Sequence, residues 1–405
     1  MHLLLYPLSA MLIASVFYTL AAVTAAAKWK RATLPSNTEF LPPVTIFKPL
    51  AGMDAEAWEN FVSFCHLDYP LDRYQLIFGT LDPKDAAIPL VHRLKAEFPH
   101  HDITLIAGGD ATRGHNRKVC NLLSMEPHAK HDFYLLSDSD MRVKPNYLRR
   151  IVAPFKPTSS TLPLSNSVKP TRPVGLVTCP YRGHNPRSLS AKLEALGIGA
   201  DFIPSAMVSR MLEGVGFAFG STIALPKSVL EEIGGFEAIS DQLADDFRLG
   251  EGAKIAGYEV VLSDYVVDNL LGKENFAAMW ARRLRWAITT RSCRPGGYAG
   301  AVVTHGVALA ALFLIASQFS TVGWGVFAGV LALRLTTSAW IASRYTGDPN
   351  ILRYLFLLPL SDALSFLLYL SSFVSNRILW RGVPFRLYRG GRLERIVPIT
   401  KSVTR

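Results

Sequence analysis

Cysteine is scarce in this chain of 405 residues, which contains only four, and no two of them form a C-x-x-C pair. This scatter argues against a thiolate zinc site and a disulfide framework, and it fits a reduced compartment. Internal repeats and low-complexity tracts are also absent. The net charge is +11, but no aromatic-and-basic motif of a nucleic-acid-binding module occurs, so we expect no nucleic-acid partner. Most of the excess positive charge lies beside apolar segments instead.

Charged residues are missing between Leu3 and Ala27, and Lys28, Lys30 and Arg31 follow this stretch directly. A helix needs about 20 apolar residues to cross a bilayer, so the stretch is long enough. A cleaved signal peptide is the alternative, but it would begin with basic residues and have a shorter apolar core. We therefore predict an uncleaved transmembrane helix over residues 1–27, with its basic flank in the cytosol.

A second apolar region covers residues 300–376 and is long enough for two to four passes. Charge is almost absent between Arg294 and Arg334, and a basic tail follows over residues 377–405. The positive-inside rule places this tail in the cytosol, whereas three passes from a cytosolic domain would place it outside. The sequence alone leaves the number of passes open.

Residues 32–295 hold most of the acidic residues and alternate short apolar runs with segments of helical periodicity. The runs Val44–Pro49, Tyr74–Gly79 and Ile103–Ile106 predict buried strands, with helices between them. Strands that alternate with helices form a doubly wound, mostly parallel α/β sheet. Such sheets bind ligands beyond the carboxyl ends of their strands, where several acidic residues of this chain fall.

The apolar run that begins at Phe133 ends in two carboxylates, Asp138 and Asp140, which are separated by one residue. Because side chains alternate along a strand, both should project to the same side, where they repel each other unless a cation lies between them. Oxygen ligands on a short turn suit Mg²⁺ or Mn²⁺, which usually also bind phosphate oxygens of a substrate. On its own, however, a D-x-D pattern is more typical of a solvated surface turn.

Two further polar clusters follow predicted strands. Asp82 and Asp85 come directly after the second strand, where they form either an ordinary Asp-Pro turn or a hydrogen-bonding site for the imide of a uracil base. Lys118 lies at the start of a predicted helix, in the segment GHNRKVCN. That helix start is either simply capped and solvated, or it holds the negative charge of a diphosphate.

The remaining candidates lie on two helices. Asp245 and Asp246 begin an amphipathic helix, where the helix dipole favours acids in any case. Alternatively, one of them is a general base, which would accelerate transfer to an alcohol by about 10²–10⁴-fold. Arg282 and Arg285 share one helix face beside Trp286, a pattern of either a basic interfacial helix or a site that neutralises a leaving diphosphate.

Taken in order, these clusters resemble those of the membrane-bound processive and ceramide-type glycosyltransferases of the GT-A fold. The segments GHNRKVCNL, GGF and WRGVPFRLYRGG look most like the ceramide glucosyltransferase family, which includes a bacterial branch acting on hopanoid polyols. The resemblance covers residues 44–391. It implies a GT-A domain over residues 32–295, flanked by the membrane helices of residues 1–27 and 300–376.

The resemblance implies that Asp82 and Asp85 bind the uridine part of a UDP-sugar. It implies that Asp138 and Asp140 hold the donor and its metal, Mg²⁺ or Mn²⁺. Many family members have a less complete D-x-D, so we expect stronger metal dependence in this chain.

By the same resemblance, Asp246 is the base and Asp245 supports it, while Arg282, Arg285 and Trp286 hold the diphosphate and the acceptor. Lys118 is a further candidate for the donor site because of the positive charge at its helix start. Polymerising synthases commonly have Gln at the position of Arg282, which counts against a processive enzyme.

The resemblance therefore implies an inverting transfer of one sugar, from UDP-glucose or UDP-N-acetylglucosamine, to the hydroxyl of a membrane lipid. The lipid is either ceramide or a hopanoid polyol. We expect an integral protein of the bacterial inner membrane with its catalytic domain in the cytosol. Two alternatives are a processive polysaccharide synthase and a membrane scaffold that only senses a nucleotide-sugar, although a sensor would not need a base.

Overall fold

The computed structural model describes residues 2–31, 39–156, 172–380 and 382–396. Its strands are β1 (Val44–Pro49), β2 (Tyr74–Thr80), β3 (Asp102–Ala107), β4 (Phe133–Leu136), β5 (Met141–Arg142), β6 (Val174–Thr178), β7 (Tyr181–His184), β8 (Ile223–Pro226), β9 (Glu259–Leu262), β10 (Val267–Leu270), β11 (Arg377–Trp380), β12 (Val383–Leu387) and β13 (Leu393–Arg395).

Seven of these strands form the central sheet, in the order β3-β2-β1-β4-β8-β6-β9. β1 pairs in parallel with both β2 and β4, whereas β8 is antiparallel to β4 and β6. Apolar runs buried along their whole length form β2 and β4, as expected for strands covered by helices on both faces. The mostly parallel α/β sheet confirms the predicted fold class.

Helices alternate with the strands and continue through both apolar regions. They are α1 (His2–Arg31), α2 (Ala57–Cys65), α3 (Ile88–Glu97), α4 (Arg117–Met125), α5 (Tyr147–Val152), α6 (Leu189–Leu196), α7 (Ile203–Glu213), α8 (Lys227–Glu232), α9 (Asp245–Ile255), α10 (Phe276–Cys293), α11 (Pro295–Gly300), α12 (Gly306–Ala316), α13 (Thr321–Ile341), α14 (Pro349–Arg353) and α15 (Leu358–Ser372). α2, α3 and α5 pack in one apolar core against the sheet, and α4, α8 and α9 pack in another.

The acidic pair does not lie on a strand, which corrects the interpretation from the sequence. β4 ends at Leu136, and the next four residues lead through a turn into β5. A backbone hydrogen bond of 3.3 Å from the Met141 N–H to the Asp138 carbonyl oxygen closes this turn. Strand alternation therefore does not set the directions of the Asp138 and Asp140 side chains, which depend on contacts around the turn.

Three helices in the described residues are long and apolar enough to cross a membrane: Leu4–Lys30, Thr321–Thr346 and Leu355–Ser372. A fourth candidate is the pair Pro295–Thr304 and Gly306–Ala316, which is bent by 62° at its junction. α1 packs against α12 and α13, so the two apolar regions form one bundle. α1 also packs against α7, which ties the bundle to the α/β domain.

The described part of the basic tail is a folded sheet. β11, β12 and β13 form three antiparallel strands. The alternation of side chains buries Ile378, Phe385, Leu387 and Leu393, which share an apolar cluster with Ile288 of α10. We refer to these three strands as the C-terminal sheet. It lies against the α/β domain beside α10.

Candidate functional site

Charged side chains from three separate segments meet around the amino group of Lys118. Its Nζ atom lies 2.7 Å from Asp138 Oδ1 and 3.4 Å from Asp245 Oδ2. Burial alone lowers the pKa of Lys118, but the charges of Asp138 and Asp245 outweigh burial and raise this pKa above its ordinary value. Lys118 is therefore an ammonium ion near neutral pH. The structure brings these three residues, separated in the sequence, into one ion-pair cluster.

Asn116 fixes the position of Lys118 because it caps α4. Its side-chain oxygen accepts hydrogen bonds from the N–H groups of Lys118 and Val119, at 2.9 and 3.2 Å. Its side-chain nitrogen donates to the Gln242 carbonyl oxygen at 2.7 Å and to Asp245 Oδ1 at 3.3 Å. The side chain is fully buried. One amide thus joins the start of α4 to the loop that leads into α9.

Gly220 brings the turn that carries Asp138 close to the start of α9. Its N–H donates to Asp246 Oδ2 at 3.2 Å, and its carbonyl oxygen accepts a hydrogen bond of 3.2 Å from the Asp138 N–H. A Cβ atom at this position would lie 2.6 Å from Asp138 Oδ2 and 3.0 Å from Lys118 Nζ. A side chain at this position would therefore displace the Asp138 carboxylate and the Lys118 amino group from their present contact.

Asp246 differs chemically from a solvated aspartate. Burial, and next the charge of Asp245, raise the pKa of Asp246 to about 6, although Lys118 opposes the shift. Its Oδ1 atom accepts a hydrogen bond of 2.7 Å from the Phe247 N–H, which orients the carboxylate. A carboxylate with a raised pKa is a stronger base than an exposed one while it still ionises near neutral pH.

Asp140 faces a different set of partners from Asp138. Its Oδ2 atom accepts a hydrogen bond of 2.9 Å from the Asn269 side chain. Burial, and then the charges of Asp138 and Asp54, raise the pKa of Asp140. Lys48 supports the same turn from β1, since its Nζ donates to the Asp138 carbonyl oxygen at 2.6 Å.

The D-x-D turn fits a divalent cation by the chemistry of its donors. Asp138 and Asp140 offer carboxylate oxygens, and their mutual repulsion would be relieved by a positive ion. Among the described residues, no group of three or more His, Cys, Asp or Glu side chains is arranged to hold a metal ion. A cation at this turn would therefore take its other ligands from water and from substrate phosphates, as Mg²⁺ usually does.

The two acids after β2 have structural roles in the loop they occupy. Asp85 is buried, and its carboxylate accepts hydrogen bonds from the N–H groups of Gly52 and Ala87, at 2.7 and 2.9 Å. Asp82 accepts a hydrogen bond of 2.8 Å from the Lys84 N–H, which forms a short side-chain turn. Asp82 itself is exposed. Asp85 thus orders the loop after β1, and binding of uridine by either residue stays a prediction.

α10 carries the predicted arginines, but Arg282 is engaged by protein carboxylates. It donates hydrogen bonds to both oxygens of Glu194 and to both oxygens of Glu274. The guanidinium of Arg285 lies 5.6 Å from the ring centroid of Trp380, and that of Arg282 lies 5.7 Å from the ring of Trp286. Arg282 therefore forms an ion-pair cluster within the domain, and its contact with a diphosphate stays a prediction.

Several residues around the site were not singled out from the sequence. They are Lys48, Asp54, Asn116 and Asn269. Two of them carry a recognisable signal, because a lysine in the fully buried strand β1 needs charged partners and an Asn before a helix is a typical cap. Asp54 and Asn269 approach the turn only through the tertiary fold.

The sequence profile described as "Glycosyl transferase family 21" matches residues 7–393, which include the whole cluster around Lys118. The chain belongs to glycosyl transferase family 21. This membership confirms the resemblance seen in the motifs, and it makes the protein a glycosyltransferase. The apolar helices make this family 21 enzyme a membrane protein.

Relatives of known name include three ceramide glucosyltransferases. Ceramide glucosyltransferase 1 of Caenorhabditis elegans is 22% identical over 365 residues, which cover 87% of this chain and 73% of the relative. Ceramide glucosyltransferase 3 of the same organism is 24% identical over 246 residues, or 61% of this chain and 50% of the relative. The enzyme of Candida albicans is 32% identical over 151 residues, or 35% of this chain and 27% of the relative. The match thus spans only half the length of ceramide glucosyltransferase 3.

Solved structures with a similar fold are more distant. A mannosyltransferase from Pyrobaculum calidifontis, in complex with GDP-Man and Mn²⁺, is 19% identical with a TM-score of 0.48, and the match covers 90% of this chain and 99% of that one. S. aureus TarS 1–349, in complex with UDP-GlcNAc, is 11% identical with a TM-score of 0.40, and the match covers 87% and 99%.

Proposed function

We propose that this family 21 enzyme transfers a single sugar from a UDP-sugar to the hydroxyl of a membrane lipid, with inversion at the anomeric carbon. UDP-glucose and ceramide are the first donor and acceptor to test, because the named relatives are ceramide glucosyltransferases. UDP-N-acetylglucosamine and a hopanoid polyol are the second pair. The enzyme lies in the membrane with its α/β domain on the cytosolic side, where UDP-sugars are available.

One observation carries this proposal: a single residue, Gly220, is hydrogen-bonded both to Asp246 and to the D-x-D turn. Gly220 bonds through its N–H to Asp246 and through its carbonyl oxygen to the Asp138 N–H. A base and a donor-binding carboxylate must lie this close when an acceptor hydroxyl attacks the anomeric carbon of a bound sugar. A nucleotide-sugar sensor would have no use for the base.

The chemistry is a single displacement. The acceptor O–H proton passes to the Asp246 carboxylate while the hydroxyl oxygen forms its bond to the anomeric carbon, and the bond from that carbon to the UDP oxygen breaks. Lys118 lies 2.7 Å from Asp138 and 3.4 Å from Asp245, and its positive charge offsets the repulsion between the Asp245 and Asp246 carboxylates. An α-linked donor gives a β-linked product.

Asp138 and Asp140 would hold a divalent cation together with the donor diphosphate. When bound, the cation neutralises charge that develops on the departing diphosphate. Lys118 is a second positive charge within reach of Asp138, and we expect it to move toward the diphosphate when the donor binds. Asp82 and Asp85 remain our candidates for the uridine. Arg282 and Arg285 remain our candidates for the diphosphate, and Trp286 for the acceptor.

The lipid acceptor can reach the site sideways from the bilayer. α10 packs beside the apolar helix α15, and Trp286 on α10 is partly exposed. Aromatic and basic side chains on a helix are typical of the interface between lipid and water. An acceptor would therefore present its hydroxyl to the α/β domain while its tails stay in the bilayer.

The test is an activity assay on the purified full chain in mixed micelles with Mg²⁺ or Mn²⁺. UDP-glucose and UDP-N-acetylglucosamine are each combined with ceramide and with a hopanoid polyol, and glycolipid is measured by mass spectrometry. We expect one sugar added to one of these lipids. Asp246→Asn, which keeps the shape but removes the base, should lower kcat by about 10²–10⁴-fold.

Two results would contradict the proposal. A product carrying many sugars would point to a polysaccharide synthase, and the absence of both glycolipid and UDP release with every pair would favour the sensor. The matched control is Asp82→Asn, because Asp82 is exposed and its carboxylate accepts a hydrogen bond from the Lys84 N–H of its own loop. It should change the KM for the donor and leave kcat within a few-fold.

A further inference from the structure

The C-terminal sheet contacts the loop that leads directly into Asp245 and Asp246. The Leu243 N–H donates to the Gly391 carbonyl oxygen at 2.9 Å, and the Leu393 N–H donates to the Asp241 carbonyl oxygen at 2.8 Å. These two bonds have the pattern of a short antiparallel pairing, with Gln242 opposite Arg392. The loop thus acts as an extra edge of the C-terminal sheet.

The opposite side of this loop rests on the start of α4. The Asn116 N–H donates to the Ser240 carbonyl oxygen at 2.8 Å, and the Asn116 side chain donates to the Gln242 carbonyl oxygen at 2.7 Å. A Cβ atom on Gly114 would lie 2.5 Å from the Ser240 carbonyl oxygen, so the contact is close. Residues 240–243 are therefore held between α4 and the C-terminal sheet. This segment ends two residues before Asp245, which precedes the predicted base, Asp246.

Gly390 and Gly391 form the point of contact. Both have positive φ, +87° and +88°, a conformation that glycine adopts without steric cost. The Gly390 N–H donates to the Ser292 carbonyl oxygen of α10 at 2.9 Å, and the Gly390 carbonyl oxygen accepts a hydrogen bond from the Arg248 guanidinium. Arg248 lies on α9, the helix that begins with Asp245. The glycine pair therefore connects α9, α10 and the loop of residues 240–243.

We propose that the C-terminal sheet, acting through Gly390 and Gly391, positions Asp245 and Asp246 for the transfer reaction. This inference rests on the proposed function. The sheet sets the path of residues 240–244 and so the direction in which α9 starts. The motif WRGVPFRLYRGG then has a physical role, since its glycines meet this loop and its Phe385 and Leu387 anchor the sheet.

Position matters here because a base acts only within hydrogen-bonding reach of the proton it removes. A displacement of about 1 Å at a catalytic group can reduce the rate by about 10²-fold. The proposed donor site is the D-x-D turn, which Lys48 supports from β1 in addition to its contacts with Lys118 and Gly220, so the turn keeps much of its support when the start of α9 shifts. A change in the C-terminal sheet should therefore lower kcat and leave the KM for the UDP-sugar nearly unchanged.

The experiment compares two glycine-to-alanine variants of the full chain. A Cβ atom on Gly391 would lie 3.0 Å from Cys293 Sγ and 3.7 Å from Gln242 Oε1, whereas a Cβ atom on Gly382 would meet nothing within 4 Å. Both glycines lie in the C-terminal sheet region with positive φ, +88° and +78°, so both variants carry similar backbone strain. We expect Gly391→Ala to lower kcat at least about tenfold with an unchanged donor KM, and Gly382→Ala to stay close to wild type.

Rescue separates positioning from general damage. Cys293→Ala removes the sulfur that the new methyl group would meet, so the double variant Gly391→Ala/Cys293→Ala should recover the kcat of Gly382→Ala. Should Gly391→Ala fail to fold, Arg248→Met serves in its place. It removes the hydrogen bond to Gly390 and keeps a long apolar side chain. It should lower kcat while the thermal midpoint and the donor KM stay near their wild-type values.

Equal kcat values for Gly391→Ala and Gly382→Ala, in a wild-type background that transfers sugar, would overturn the positioning role. The positioning role would also be overturned if Arg248→Met lowered the thermal midpoint together with kcat, because unfolding would then explain the loss of activity. A wild-type chain that transfers no sugar would instead defeat the proposed function. The two failures are therefore distinguishable in one set of assays.

Discussion

Asp246 owes its chemistry to its neighbours more than to its residue type. A solvated aspartate has a pKa near 4 and is a weak base. At Asp246, burial and the adjacent charge of Asp245 raise the pKa to about 6, and Lys118 keeps it from rising further. The residue can therefore be ionised at neutral pH and still accept a proton effectively.

This pKa predicts a pH profile. The base works only when it is unprotonated, so kcat should be at its full value above about pH 7 and should fall as the pH drops through about 6. The measurement is kcat at saturating donor and acceptor between about pH 5 and about pH 8. Thermal midpoints at each pH serve as the control, because acid unfolding would imitate the loss. A kcat that is flat through pH 6 would contradict the assignment of Asp246.

The acidic residues of the candidate site could be proposed from the sequence because few residue types suit metal binding or base catalysis, and because several of them follow predicted strands. Their contacts could not be selected. The sequence predicts Asp138 at the end of a strand, but β4 ends at Leu136, and the direction of the Asp138 carboxylate comes from Lys118 and Gly220. Asn269, which bonds to Asp140, is 129 residues distant in the chain, and no local pattern marks it.

The R-x-x-R-W motif of helix α10 is compatible with two roles, a diphosphate site and a structural ion pair. Its R-x-x-R-W pattern suggested a diphosphate site, but the structure pairs Arg282 with Glu194, which is buried, and with Glu274. A buried carboxylate without its partner is strongly unfavourable. Arg282 thus joins α10 to α6 in the described structure.

We therefore expect Arg282→Met to reduce stability by about 3 kcal/mol or more, because it leaves the Glu194 charge buried and unpaired. The double variant Arg282→Met/Glu194→Met should be more stable than the single variant, since both charges are gone. Thermal unfolding of the detergent-solubilised chain, followed by circular dichroism, measures both. If Arg282→Met melts like wild type but has a greatly increased donor KM, the diphosphate role is supported and the structural role is not.

The composition of the C-terminal sheet explains why its sequence predicts only a basic tail. Arg377, Arg386 and Arg395 dominate its composition, and they lie on the exposed side of short strands. The buried side chains alternate with them, but strands of three to five residues are too short for a period of two to be convincing. The longer strands of the central sheet had clear apolar runs, which is why their positions were predicted within one or two residues.

For the whole molecule, contacts of the α/β domain constrain how the chain passes through the membrane. The Asn350 side chain donates to the Gly183 carbonyl oxygen at 2.6 Å, so the segment after α13 lies on the α/β domain. The Arg291 side chain donates to the Ser375 carbonyl oxygen at 3.3 Å, so the segment after α15 lies there too. Between these points, Arg283 bonds to Ser365 at 2.8 Å. α15 therefore begins and ends on the same side, along α10.

We predict that α15 lies in the membrane interface and does not cross, although its length and composition would allow a crossing. Single cysteines at Arg353 and Ser375, in a background without the four native cysteines, should react with a membrane-impermeant maleimide from the side of the α/β domain. Lys95→Cys in that domain is the matched reference, and Gln318→Cys, between α12 and α13, should react from the opposite side. Labelling of positions 353 and 375 from opposite sides would show that α15 crosses.

The position of the C-terminal sheet has a consequence for how the enzyme is made. Gly390 and Gly391 are synthesised after every apolar helix described above, yet they contact the loop before Asp245. At about 5–20 residues per second, a ribosome takes roughly 7–30 seconds to go from Asp246 to Gly391. During that interval, the nascent chain contains the D-x-D turn and the proposed base, Asp246, without the strands that we propose position this base. We expect catalytic competence to arise only after the bundle has entered the bilayer, so that a nascent or prematurely terminated chain does not consume UDP-sugar in the cytosol.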